Sequence, residues 1–168
     1  HTIHLHGLDV DQQNDGVGAL SFFVHHGETK TYKFVAPHPG TYIYHCHVIS
    51  PVHVQAGMYG LLIVKPASGS DSTWTGGYAY DSEHAWMTSE VDTIWHTYAV
   101  MKVPDSVSSI DPFPDYIPQH YLINGKSEQQ IDVDASIAIH APSKSQIYLR
   151  LANIGNLGNR FVFPSALN

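Results

Sequence analysis

One short stretch of the sequence carries most of the side chains that bind transition metals. Residues 44–58 hold the only cysteine of the chain, Cys46, together with three histidines and a methionine. A thiolate, two imidazoles and a weak thioether form the ligand set of a blue-copper electron-transfer site. Cys46, His53 and Met58 supply three of these four ligands, and His1 offers the second imidazole. We therefore predict a copper site formed by these four residues.

The histidines on both sides of Cys46 predict a second metal centre. On a β-strand, His45 and His47 point to the face opposite Cys46, so they bind a different metal ion from the thiolate. His4 and His6 have the same spacing and share one face of another predicted strand. Four imidazoles facing one cluster, with a thiolate a short covalent path away, suit the transfer of electrons from one metal centre to the other.

Composition and charge narrow the classes of function. The chain has 168 residues, of which 43 % are hydrophobic and 14 % charged, and this suits one or two packed globular domains. The net charge of -7 argues against nucleic acid as the main partner. Thirteen histidines favour metal binding, and the single cysteine excludes an intrachain disulfide. No apolar run approaches the roughly 20 residues that span a bilayer.

Short strands separated by turns are expected in the first 66 residues. Alternating β-branched and aromatic residues predict strands over 1–8, 20–24, 29–35, 41–47 and 58–65. A loop is expected over 48–57, and no stretch has a convincing amphipathic helix pattern. Closely spaced short strands are typical of a β-sandwich or barrel, so we predict an all-β fold.

A second β-domain is expected after a linker. Residues 67–77 have a linker composition rich in serine, threonine and glycine. The stretches that follow are predicted as extended structure over 78–103 and as an irregular connection over 104–118. A strand over 121–126 is expected to enter an Asn-Gly turn, further strands are expected over 131–133, 137–139 and 146–151, and another begins at 160. We therefore divide the chain into a metal-binding domain at 1–66, a linker at 67–77 and a second domain at 78–168.

The ligand pattern resembles that of the multicopper oxidases, the laccases and their relatives, which are built from cupredoxin domains. It consists of His-x-x-His-x-His-Gly at residues 1–7 and His-Cys-His at 45–47, followed by His53 and Met58. The resemblance is strong over 1–66. It is weak over the second half, which looks like the start of a following cupredoxin domain without copper ligands.

This resemblance implies a Greek-key β-sandwich of cupredoxin type and a role for each ligand. It implies that the type 1 blue copper is held by His1, Cys46, His53 and Met58. It also implies that half of a trinuclear type 2 and type 3 copper cluster is supplied by His4, His6, His45 and His47, with His4 serving the type 2 copper. The expected reaction is one-electron oxidation of a donor at the type 1 copper, electron transfer through Cys46 to His45 and His47, and reduction of O2 to water.

Two departures from the family pattern indicate that parts of both domains are missing from the sequence. A cupredoxin has strands before the segment of His1, and this sequence has none. The other half of the cluster also lacks its histidines, because residues 160–165 contain none where a His-x-His is expected. We therefore expect both domains to be incomplete, and the chain to be an internal portion of a larger oxidase. Further cupredoxin domains or subunits would complete the cluster, and the family implies a periplasmic or secreted location.

Three other functions stay open at this point. A copper nitrite reductase is the first, because the interval from Cys46 to His53 is nearer to such enzymes than to laccases, although those resembling this pattern lack the histidine at position 47. A non-catalytic blue-copper electron carrier needs only four ligands, which leaves four histidines unexplained. A fragment with an incomplete domain would bind little or no copper. Zinc is less suitable, because its structural sites often use several thiolates.

Overall fold

Three antiparallel strands form the first sheet of the computed structural model, which describes residues 1–101 and 113–163. The strands are β1 at His4–His6, β2 at Gly40–His45 and β3 at Tyr59–Val64. Strand β2 lies in the centre and sets His45 opposite His4 on one side and Tyr59 on the other. Because β2 ends at His45, the chain leaves the sheet just before its cysteine.

The second sheet is mixed. Its strands are β4 at Ser82–Val91, β5 at His120–Ile123 and β6 at Ile147–Asn153. Strand β4 is central, antiparallel to β5 and parallel to β6. The predicted Asn-Gly turn after β5 is confirmed, since Asn124 and Gly125 have φ angles of 50° and 75°, as a tight hairpin turn of this type requires.

Several predicted strands are wrong. Among the described residues, the stretches 20–24, 29–35, 131–133, 137–139 and 160–163 join no ladder. Each has a strand-like composition, but a strand also needs a partner for its backbone groups, and that pairing is not encoded locally. Parts of four predictions lie outside the described residues: 102–103 of the extended stretch, 104–112 of the irregular connection, 164–165 of the histidine-free segment, and 164–168 of the second domain.

Two short helices replace extended or loop structure that the sequence predicts. Helix α1 occupies Ser50–Gln55 within the predicted loop, and helix α2 occupies Tyr98–Met101 within a stretch predicted as extended. One-turn helices occupy Gln12–Asn14 and Glu128–Gln130. Elements of four to six residues are too short for a helical periodicity to be recognised in the sequence. Among the described residues, strands still hold far more of the chain than helices do, and no helix is long and apolar enough to cross a bilayer.

The main hydrophobic cluster lies where α1 meets the second half of the chain. Val52 of α1 is 1 % exposed and packs with Trp95 and Val100, which are also buried. The centre of this cluster therefore joins the segment between Cys46 and Met58 to residues that follow β4. Whether the chain divides into domains at 1–66 and 78–168 stays a prediction.

A buried arginine links the two sheets. Arg150 on β6 is 2 % exposed and donates from Nη1 to Thr41 Oγ1 of β2 at 2.9 Å. Its Nη2 lies 3.1 Å from Glu83 Oε2 on β4. Burial raises the pKa of the Glu83 carboxyl, but the hydrogen bonds from Arg150 and Tyr80 and the charge of Arg150 outweigh it, so the net pKa is lowered. The carboxylate is therefore ionised at neutral pH and pairs with the arginine.

Replacing this arginine should destabilise the fold strongly. Arg150→Met leaves the largely buried Glu83 carboxylate without its closest cation, so we expect a loss of about 3 kcal/mol in the free energy of unfolding. Urea denaturation of the full chain measures it. Lys65→Met is the matched control, because Lys65 Nζ also lies 3.5 Å from Glu83 Oε2 but the lysine side chain is half exposed. Equal losses for the two variants would contradict the assignment.

Asp92 should make stability depend on pH in the acid range. Burial raises the pKa of this carboxyl, but hydrogen bonds from the backbone N–H groups of Ile117, Ile94 and Trp95 outweigh it and lower the pKa. The unfolded chain therefore binds this proton more readily, with a pKa of about 3.9. The stabilisation is complete above that value and is lost as the pH falls through the lower pKa of the folded state.

Asp92→Asn should therefore flatten the acid limb of a plot of stability against pH, measured as denaturation midpoints from neutral pH down to about 3. Asp132→Asn removes the same charge at an exposed position and serves as the control. An unchanged acid limb in Asp92→Asn would contradict this account of the acid limb.

Candidate metal centre

Cys46 lies buried at the point where β2 ends. Its side chain is shielded from solvent, since the residue is 2 % exposed, and it forms no disulfide. Its sulfur lies 3.1 Å from Nδ1 of His53 and 3.8 Å from Nδ1 of His1. The thiol of the only cysteine is thus placed against two imidazoles from different parts of the chain.

His1, Cys46 and His53 form a three-ligand cluster. Their ligand atoms all lie within 4.8 Å of one another, and the two imidazole rings are 4.9 Å apart between centroids. His1 is held by a reciprocal backbone pair, in which its amine donates to Val24 O at 2.9 Å and its carbonyl accepts from Val24 N at 2.8 Å. One thiol and two imidazoles are the equatorial ligands that a blue-copper site requires, so the donor set fits copper.

The backbone ties the predicted fourth ligand to the other members of this cluster. Met58 is half-buried, its N–H donates to His53 O at 3.0 Å, and its carbonyl accepts from Cys46 N at 3.0 Å. Gly57 turns the chain between the end of α1 and Met58 with a φ of 86°, a left-handed conformation that favours glycine. The segment from Cys46 to Met58 is therefore a closed loop.

The other four predicted ligands form a second group. Strand register places His4 opposite His45, and their ring centroids are 5.3 Å apart. His47 lies beyond the end of β2, yet its ring is 5.2 Å from that of His4 and 6.0 Å from that of His45. His6 is 5.6 Å from His4 and 5.9 Å from His45. Seven of the eight predicted ligands thus fall into two groups by the positions of their side chains, and Met58 is linked to the first group through its backbone. The assignment of all eight to metal ions stays a prediction.

Hydrogen bonds orient two rings of the second group. His4 Nδ1 lies 2.8 Å from the Asp15 carbonyl and 3.1 Å from Asp15 Oδ1, and His45 Nδ1 lies 3.0 Å from the Cys46 carbonyl. With the proton on Nδ1, each ring keeps Nε2 as a free lone pair for a metal. Burial lowers the pKa of His45, and the charges of the neighbouring histidines add to this against the opposing hydrogen bond to Cys46. A lowered pKa favours the neutral imidazole that metal ligation needs.

Two residues that were not predicted from the sequence also contact members of this group. Asp15 follows a one-turn helix in the polar loop after β1. The only sequence signal for its role is that it is an acidic residue close in sequence to His4 and His6. Thr2 is buried, and its hydroxyl accepts from the backbone N–H of His47 at 3.1 Å. Its contact is 45 residues away in sequence, so no local pattern could reveal it.

Comparisons with known proteins match the first part of the chain. Residues 1–69 match the family described as multicopper oxidase. A copper-containing nitrite reductase of Neisseria meningitidis is 41 % identical over 71 residues, which is 41 % of this chain and 17 % of the relative. An L-ascorbate oxidase of Cucumis sativus is 35 % identical over 139 residues, or 81 % of this chain and 21 % of the relative. The chain therefore spans about a fifth of the length of these relatives.

The fold also resembles that of a solved structure. A crystal structure of a multicopper oxidase superposes with a TM-score of 0.62 at 26 % identity, covering 94 % of this chain and 45 % of that one. The superposition includes both sheets, because it covers nearly the whole chain. Together with the strand content, it confirms the predicted all-β, cupredoxin-like fold.

The thiol of Cys46 gives a direct test of the three-ligand cluster. Copper(II) added to the full chain should produce the intense visible absorption of a copper thiolate, and Cys46→Ser should abolish that band because serine offers no thiolate. His26→Ala, which removes an exposed histidine outside both groups, should keep it. Titration with copper(II) under an absorption spectrometer measures both. Spectra that are alike for the unchanged chain and Cys46→Ser would contradict the cluster.

Proposed function

We propose that this chain, whose residues 1–69 belong to the multicopper oxidase family, is part of a laccase-like copper oxidoreductase. The observation that supports this proposal is the position of Cys46 between the two groups of ligands. Its side chain faces His1 and His53, while its sequence neighbours His45 and His47 belong to the other group. The two groups are thereby connected through a few covalent bonds.

Each group would hold copper in a different role. His1, Cys46, His53 and Met58 would hold a type 1 copper. Half of a type 2 and type 3 cluster would be held by His4, His6, His45 and His47. Copper bound in these two places supplies one-electron oxidation of a donor and reduction of O2 to water. The partners are accordingly an electron donor, O2, and further cupredoxin domains or subunits that contribute the remaining ligands.

Other groups of the chain position the predicted ligands of both sites. Burial of Cys46 excludes water from its sulfur, and the adjacent backbone bonds to Met58 fix the ends of the ligand loop. Asp15 and the carbonyl of Cys46 hold the Nδ1 protons of His4 and His45.

A copper nitrite reductase is the second candidate. It is favoured by the 41 % identity over 71 residues to such an enzyme from Neisseria meningitidis. His47 argues against it, because nitrite reductases resembling this pattern lack that histidine, and here its ring lies 5.2 Å from His4 within the second group. We therefore favour the oxidase. By family resemblance, the protein would act in the periplasm or outside the cell.

His47 offers the decisive variant. In the full-length protein that carries this chain, His47→Ala should lower O2 uptake by at least about 10-fold, since ligand-shell losses at metal sites are of this size or larger. It should leave the visible thiolate band unchanged, because His47 lies outside the first cluster. Oxygen uptake with a reducing donor, copper content and the absorption spectrum are the measurements.

The same samples separate the candidates. His26→Ala is again the control and should behave like the unchanged protein. Reduction of nitrite without uptake of O2 would favour the reductase and contradict the oxidase. A blue protein that reduces neither would leave only electron transfer.

A further inference from the structure

The helix that carries His53 is too short to be stable without contacts to the rest of the protein. Helix α1 has six residues, far fewer than the roughly 12–15 that an isolated helix needs for marginal stability in water. It begins after Ile49, which has a φ of 44° and provides no side-chain cap. Since neither length nor capping fixes this helix, contacts with the rest of the molecule must do so.

Two buried side chains of α1 make such contacts with the second half of the chain. Val52 and Gln55 are the buried residues of α1. Val52 packs with Trp95 and Val100. Apolar packing of this kind is non-directional, so it brings the helix to the second half of the chain without fixing its rotation.

Gln55 adds the directional contacts. Its Nε2 donates to the Glu90 carbonyl and to the Tyr116 hydroxyl, both at 2.9 Å. Its Oε1 accepts from Asp92 N at 3.1 Å. Both amide donors and the acceptor are therefore used, and all three partners lie at the end of β4 or in the segment that leads into β5. The Asp92 anchor is itself fixed, because its carboxylate accepts from the N–H of Ile117 at 2.7 Å.

Helix geometry connects this amide to the metal centre. His53 and Gln55 are two residues apart, so they project about 200° apart around the helix axis. His53 faces Cys46, with Nδ1 3.1 Å from the sulfur, and Gln55 faces the second sheet. A rotation of the helix that broke the hydrogen bonds of Gln55 would carry His53 away from the sulfur.

We propose that Gln55 is a positioning residue for His53 and makes the metal centre depend on the second sheet. The inference rests on the proposed function, since it treats His53 as a copper ligand. It adds a residue outside the ligand set, which acts through the helix rather than by touching a metal. Outer residues that orient metal ligands typically change metal affinity by about 10- to 100-fold when they are replaced.

Two variants of Gln55 test the proposal. Gln55→Leu removes all three hydrogen bonds and leaves the Asp92 N–H and the Glu90 carbonyl without this partner. Gln55→Glu keeps the shape of the side chain and the oxygen that accepts from Asp92 N–H, but it loses both bonds that the amide nitrogen donates, to the Glu90 carbonyl and to the Tyr116 hydroxyl. The matched control is Thr88→Val, a change of equal shape at a buried β4 residue whose hydroxyl donates to Asn153 Oδ1 at 2.9 Å rather than to a residue of α1.

The readouts are copper(II) affinity by competition with a chelator, the position of the visible thiolate band, and the rate of Cys46 alkylation in metal-free protein. We expect both Gln55 variants to bind copper(II) about 10-fold or more weakly, with a shifted band and faster alkylation. Thr88→Val should bind copper(II) as the unchanged chain does and keep its band. Gln55→Glu provides the comparison if Gln55→Leu does not fold.

The outcomes separate this inference from the proposed function. Gln55 variants with unchanged affinity and band would overturn the positioning role and leave the copper site standing. Changes of equal size in Gln55→Glu and Thr88→Val would overturn it too, because they would reflect general destabilisation. An unchanged chain that binds copper(II) without a thiolate band would overturn the copper site itself and, with it, the role of Gln55.

Discussion

The positions of the two groups of predicted ligands depend on the residue at which strand β2 ends. Up to His45 the chain is held in register between β1 and β3, and with Cys46 it leaves the sheet. The thiol is therefore buried on one side while the imidazoles before and after it turn to the other. If β2 were two residues longer, Cys46 would still point away from its two neighbours. The loop that brings His53 and Met58 back to the sulfur would then start two residues further from Cys46.

The predicted ligands are held in two different ways. The sheet supports His4, His6 and His45 directly, through strand pairing. The loop from Cys46 to Met58 is closed by backbone bonds at its ends, but its middle, α1, rests on the hydrophobic cluster around Val52 and on the amide of Gln55. Arg150 adds a third connection between the halves of the chain. The candidate metal centre is therefore supported by side-chain contacts with the second half of the chain.

The features that the sequence predicts correctly are those that depend on residues close together in the chain. The ligand types, their spacing, and strands β2 and β3 follow from residues close together in the chain, and the histidines of both groups meet as their alternation suggests. The helix at Ser50–Gln55 was missed because six residues carry too little periodicity. Asp15, Thr2 and Gln55 were missed because they act through contacts across 11, 45 and at least 35 residues respectively, which no local pattern reveals.

The parallel pairing of β4 with β6 has a consequence for the order of folding. These strands pair residues such as Ser82 and Ile147, so about 65 positions separate the two sides of the ladder, and ladders of such range form slowly. Synthesis on the ribosome releases the ligand loop long before β6, while the supports of α1 complete themselves only as the second sheet assembles. A metal ion taken up before β6 pairs with β4 would therefore meet a helix α1 whose supports are not yet complete.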